Sequence, residues 1–290
     1  MNGIKYIQSK QQNWAKRQGF QLVGGTKPNK GEKNYVQDLS SNIFNNKLSA
    51  ETQKCFDEGD GGETKDTVTR LAKMKALHSS SALPVNVFQY WQEKDVNPML
   101  YACRLVDNKG FDFKANNMVR FEQKFEISDD KKTFPRKPNL DVVIELKETL
   151  YAIESKFTEP YNNKPKGLNE RYLLEQSFWK GLTHLKELAK EISPNNNKYN
   201  YLDVAQLIKH ILGLKEQKGK SGFKLLYLWF DVIGTDGIAH RNEIEAFAEI
   251  TKKDNIHFRH ITYQEVIINL SNNFYSGNED YIDYLTERYL

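Results

Sequence analysis

The chain has 290 residues, enough to bury a sizeable core in one large domain or two small ones, and we expect one. A hydrophobic fraction of 39% beside 28% charged residues excludes a disordered chain, and a formal net charge of +4 is too small to demand nucleic acid by itself. Cys55 and Cys103 form no CxxC pair, which argues against a disulfide framework or a zinc knuckle, and the longest apolar stretch, "LLYLWFDVI", is too short to span a bilayer.

Residues 1–62 are polar, rich in Asn, Gln, Lys and Gly, and end in "DEGDGG", which predicts a partly helical N-terminal arm. The N-terminus has no apolar run resembling a signal peptide, so the expected location is the cytoplasm, with no membrane contact. From Glu63 onward "ETKDTVTRLAKMKAL" carries apolar residues at helical spacing, and "LPVNVFQYW" predicts a second helical piece. Strand patterns follow at 101–106, 118–127, 140–146 and 150–157, the last two forming a hairpin. The loop "SDDKKTFPRKPN" between the second and third of these is basic and exposed. Two helical segments come next, over 169–192 and 201–214, the second leading into a Gly/Lys-rich loop. Residues 223–233, "FKLLYLWFDVI", are too uniformly apolar for a half-exposed strand and predict a central one. A helix over 241–253, a short strand at "HFRHIT" and a helical C-terminus complete an α/β fold, a mixed sheet sandwiched by helices.

The hairpin "KPNLDVVIELKETLYAIESKF" holds the candidate site. Side chains alternate along a strand, so Glu154 and Lys156 project from one face, and splaying of the partner strand brings Asp141 toward them. Two carboxylates with the main-chain carbonyl of Ser155 suit a hard Mg2+ ion, with Mn2+ as a substitute, that keeps several waters and accepts a phosphate oxygen. A neighbouring lysine then orients or helps deprotonate the attacking water. The competing reading is a solvated sheet face with a surface ion pair.

This arrangement resembles the active-site signature of the PD-(D/E)xK nuclease superfamily, carried here by Asp141, with Pro138 three residues before it, and by "ESK" at 154–156. The stretch "KMKALHSSSALPVNVFQYW", with "GDGGE" before it and "PNLDVVIE" after it, is similar to a bacterial group of restriction endonucleases within that superfamily. The resemblance covers about residues 63–233 and implies a restriction-endonuclease-like αβββαβ core with a mixed β-sheet. The corresponding division is an arm over 1–62 and a nuclease domain over 63–290 that ends in an αβα extension. The implied activity is Mg2+-dependent hydrolysis of double-stranded DNA, with Asp141 and Glu154 binding metal and Lys156 acting on water, and a homodimer to cut both strands.

E-x-K occurs at five places in the chain, so context decides between them. Glu122/Lys124 is the serious competitor because it also lies in a strand pattern, although it lacks an aspartate on an earlier paired strand. Glu216/Lys218 is expected in the Gly/Lys-rich loop. Members of the superfamily often add an acidic residue from the first core helix. Glu63 at a helix start is the candidate, and a carboxylate favoured by the helix dipole is the alternative. Lys131, Lys132, Arg136 and Lys137 either hold phosphates or merely solubilise their loop. Gln206 and His210, four apart, share a helix face, and Gln206 is a candidate supporting group. Ser79, Ser81 and Asn86 fit capping and turn duty better than DNA contact.

Other chemistries fail on spacing. "GLKEQKGKS" has one residue too many for a phosphate-binding loop and leads from helix to strand, the reverse of what such a loop needs. The six histidines show no zinc spacing, and "HSSSA" lacks the glycines of a nucleophile elbow. The alternatives kept are a repair or recombination nuclease acting on DNA ends or structures, and an inactive DNA-binding module on a nuclease fold.

Overall fold

The structure, a computed structural model, describes residues 2–27, 29–58, 62–107, 119–146 and 149–290. Its elements in order are α1 (Gly3–Arg17), β1 (Val23–Thr26), β2 (Lys30–Tyr35), α2 (Ala50–Asp57), α3 (Ala82–Phe88), α4 (Asn97–Ala102), β3 (Val119–Lys124), β4 (Asn139–Leu146) and β5 (Thr149–Lys156). Then follow α5 (Glu159–Asn162), α6 (Arg171–Leu174), α7 (Thr183–Glu191), α8 (Val204–Lys218), β6 (Phe223–Trp229), α9 (Thr235–Lys253), β7 (Phe258–Thr262), α10 (Tyr263–Phe274) and α11 (Glu279–Tyr289).

Strands β3 to β7 form one sheet in sequence order. β3, β4 and β5 pair antiparallel, whereas β5, β6 and β7 pair parallel. Parallel pairing needs a crossover, and the chain makes it through α5–α8 and then through α9. β5 and β6 are buried along nearly their whole length, which is why their sequences are apolar without alternation. One face packs Val143, Ala152, Leu225 and Trp229 against Leu185, Leu188, Ile208, Ile211 and Phe247 from α7, α8 and α9. The other packs Val142, Ile153, Leu226 and Leu228 against residues of α3, α4, α10 and α11. The fold is therefore mixed α/β with a restriction-endonuclease-like core, and β1–β2 form a small separate sheet.

Ile7, Ile43 and Phe56, all within residues 1–62, share the second core with the main sheet. Arg288 on α11 fastens this segment. It is fully buried, donates from Nε to Gln11 Oε1 (3.0 Å) and from Nη1 to Asn42 O (3.0 Å), and lies 4.1 Å from the Trp14 ring centroid.

Several expected elements differ. Residues 101–106 are no strand: Pro98 opens α4, Cys103 caps it, and Arg104 turns into the left-handed region at φ +57°. The helical pattern at 63–77 is overridden by pairing with the N-terminal hairpin, where Leu71 N donates to Gly25 O and Leu77 N to Asn34 O, each at 2.9 Å. Glu63 therefore lies in a loop and not at a helix start. The single helix expected over 169–192 is broken into α6, a 3-10 turn and α7, the last preceded by Gly181 at φ +73°. Glu216 and Lys218, expected in a loop, sit in the last turns of α8.

Truncating Arg288 strands several buried acceptors at once. Arg288→Ala is expected to lower the unfolding free energy by about 3 kcal/mol, read from the urea midpoint, while exposed Lys252→Ala leaves it unchanged.

Candidate active site

The β4–β5 ladder runs from Leu146↔Thr149 to Val142↔Ile153 and stops there. One step further stand Asp141 and Glu154, where the two strands splay. Asp141 Oδ2 takes over from the lost main-chain partner and accepts the Ser155 N–H at 2.6 Å. A residue's N–H and C=O project to the same side of a strand, so the Ser155 carbonyl opens on the gap that Asp141 occupies. The Lys156 carbonyl, on the opposite side, is taken by Phe230 N at 2.9 Å.

Glu154 and Lys156 point to the α8 side and pair at 2.6 Å. The second Glu154 oxygen lies 2.9 Å from His210 Nε2, and Lys156 Nζ donates to Gln206 Oε1 at 3.0 Å. Gln206 and His210 lie one turn apart on α8, whose first turn is held by Asp203 accepting from Gln206 N. Glu154 is 1% exposed, so this is a buried ion pair and not the solvated face that remained as the competing reading. Burial alone pushes the Glu154 carboxyl up, but Lys156 and His210 outweigh it and hold it below the usual carboxylate range. Burial likewise disfavours the Lys156 ammonium, and Glu154, Glu159 and Asp141 more than offset that, keeping it charged.

Asp141 goes the other way. Burial, then the repulsion of Glu154, raises its carboxyl well above the ordinary range, with Glu122 adding to the effect and Lys156 opposing it. Glu122 stands on β3 between Phe121, paired with Val142, and Gln123, paired with Leu140, so it faces Asp141 across the ladder. Its own φ of +53° interrupts β3. Asn139 Nδ2 donates to its carboxylate. Burial, with repulsion from Glu63 and Glu154, pushes Glu122 up to about 7. The register thus sets Glu122, Asp141 and Glu154 side by side on three adjacent strands.

This donor set fits a hard divalent cation. Its oxygen ligands are two carboxylates that repel each other, with a main-chain carbonyl facing the same gap, and a cation there would offset the burial and the repulsion that raise the Asp141 carboxyl. Among the described residues no three His, Cys, Asp or Glu side chains converge as a complete cage, so waters and substrate would fill the remaining positions.

Other expected residues lie further out. Glu63 is engaged by Lys73 Nζ at 2.7 Å and by Ser81 Oγ at 2.9 Å. Lys137 pairs with Glu126, and Lys131 lies 3.9 Å from the same carboxylate; Lys132 is exposed. Ser79 Oγ accepts from Ala82 N, and Asn86 ties Phe44 N, Asn42 O and Tyr289 OH together, so both brace the scaffold. Sequence reasoning placed His210 only as Gln206's helical neighbour. Its contact with Glu154 depends on how α8 docks, which no local pattern encodes.

The chain matches the family described as "Restriction Endonuclease associating with ARP" over residues 8–290. It belongs to that family. No curated protein and no solved structure is matched. Membership in a restriction-endonuclease family points to a nuclease with DNA as its substrate. Among the described residues no helix is long and apolar enough to cross a membrane.

Glu122 ties stability to pH. Between its ordinary value of 4.5 and about 7, the folded chain keeps the proton that the unfolded chain has lost, so native stability falls as pH rises through that window. Glu122→Gln is expected to melt higher than the parent at pH 8 in EDTA, by roughly 2 kcal/mol of stability, with the gap closing below pH 4. A constant gap across that range would contradict the assignment.

Proposed function

We propose that the chain is a Mg2+-dependent DNA endonuclease of type II-like restriction character, hydrolysing phosphodiester bonds of duplex DNA. The carrying observation is the splayed end of β4–β5, where Asp141 crowds Glu154 and Lys156 sits 2.6 Å from Glu154. In this reading Asp141, Glu154 and the Ser155 carbonyl hold the ion, with Mn2+ able to replace Mg2+. The bound ion would polarise the scissile phosphate and lower the pKa of an attached water.

The chain's own groups do the rest. Lys156, held charged by its acidic neighbours, donates hydrogen bonds and so orients the attacking water and stabilises negative charge growing on the phosphate. It acts as a positioned cation and not as a base. His210 and Gln206 fix the directions of Glu154 and Lys156 from the helix side. Glu122, opposite Asp141, is better placed than Glu63 to supply a third carboxylate, because Glu63 is engaged by Lys73 and Ser81. In-line attack would leave a 5′-phosphate and a 3′-hydroxyl, and a homodimer would let two such sites cut both strands.

Incubating the protein with long, varied duplex DNA and Mg2+ is expected to give discrete fragments, which EDTA abolishes. Lys156→Ala is expected to cut at least ~100-fold more slowly. A smear lost in the same controls would move the assignment to a repair nuclease, and intact DNA with every metal would leave a binding module. Calorimetric titration with Mn2+ should give binding heat that Asp141→Ala eliminates; equal heats from both proteins would remove Asp141 from the metal site.

A further inference from the structure

Lys156 and Gln206 open on a cavity of about 680 Å3 that also includes Lys164, Lys166 and Lys209. A second cavity of about 490 Å3 shares Lys166, Gln206 and Lys209 and continues to Arg136 and Lys137. The two form one groove along the first half of α8, with cations distributed over its length. Two carboxylates line it, but both serve the backbone: Asp203 accepts from Gln206 N and Glu159 from Phe157 N.

Among the described residues Arg136, Lys164, Lys166 and Lys209 form no ion pair, whereas Lys137 pairs with Glu126 and Lys156 with Glu154. Burial lowers the proton affinity of Lys209; Asp203 and Glu154 oppose that, and the positive charges of Arg136 and Arg171 add to it. Cations that outnumber the carboxylates along one groove favour an anionic ligand there.

They are also held on firm backbone. The loop carrying Lys164 and Lys166 is tied to the turn beyond α7: Leu168 N donates to Ile192 O at 3.2 Å, Ser193 Oγ to Leu168 O at 2.8 Å and Asn196 Nδ2 to Pro165 O at 3.3 Å. Gly167 presses against that turn so closely that a Cβ there would lie 2.1 Å from Pro194 O. Lys209 rides on α8, between the turn that bears Gln206 and His210 beside it.

We propose that this groove seats the sugar-phosphate backbone of the DNA strand to be cut, with Lys166 and Lys209 as its principal phosphate contacts. A small phosphate would need cations converging on one point, whereas these lie along two joined cavities that pass Lys156, as a polyanion requires. The inference rests on the nuclease reading of the hairpin site and identifies how its substrate lies.

The test is fluorescence anisotropy of a labelled DNA duplex in EDTA across a salt series, with Lys166→Ala/Lys209→Ala, Lys166→Arg/Lys209→Arg and the distant Lys252→Ala. The alanine pair is expected to bind at least about tenfold more weakly and to reduce the log–log salt slope by roughly 2, with arginine restoring both and Lys252→Ala changing neither. Circular dichroism verifies that each variant is folded. Unchanged affinity and slope in the alanine pair, or a loss that arginine does not restore, would overturn the groove assignment. Cleavage with Mg2+ separates the two ideas: a wild type that cuts while the alanine pair binds and cuts equally well sinks only the groove. A wild type that binds through these lysines and never cuts sinks only the nuclease reading.

Discussion

The buried pair between Glu154 and Lys156 is the interaction on which the rest of the site depends. Taking a carboxylate and an ammonium out of water costs several kcal/mol per ion, and mutual attraction offsets that only with good geometry and further hydrogen bonds. Gln206 on α8 supplies a further hydrogen bond to the ammonium of Lys156, and His210 Nε2 stands 2.9 Å from the second oxygen of Glu154. A pair of well-packed apolar residues would stabilise a sheet core at least as well. What charged groups add here is two reactive side chains held in fixed directions on rigid elements.

That requirement accounts for the neighbouring architecture. β5 must be interior, so that its backbone is fixed on both sides, yet β4 must leave it before residue 154 so that Asp141 can reach the Ser155 N–H. The splay creates an electrostatic asymmetry: Glu154, matched by two basic partners, stays ionised, whereas Asp141 and Glu122 face other carboxylates and are driven toward protonation. Carboxylates pushed apart in this way mark a place where a positive charge is wanted. The same helix that completes the ion pair forms a wall of the cationic groove, so one docking event orders both the chemistry and the surface leading to it.

Much of the sheet was legible in the chain itself. The uniformly apolar 223–229 segment is an interior strand, the 139–156 hairpin lies within two residues of its expected limits, and α9 and β7 follow in the expected order. Misreadings arose where a long-range partner overrode a local pattern. Residues 63–77 carry helical spacing but spend their hydrogen-bonding groups on the N-terminal hairpin, and residues 101–106 have a strand-like composition but end the helix that Pro98 opens and turn at the left-handed Arg104. Lys131 and Lys132, prominent in the sequence, lie off the groove, whereas Lys166 and Lys209 are unremarked lysines until the fold aligns them.

By itself the sequence determined the alternation that puts Glu154 and Lys156 on one face, the hairpin that sets Asp141 near them, and the α/β class, because strand periodicity and turn chemistry are local properties of the chain. Only the tertiary structure decided that His210 meets Glu154, that Glu122 stands beside Asp141, and that six Lys and Arg residues from separate segments line one groove with Lys156. Those relations depend on register between strands and on the docking of α8, which arise from packing between residues far apart in the chain.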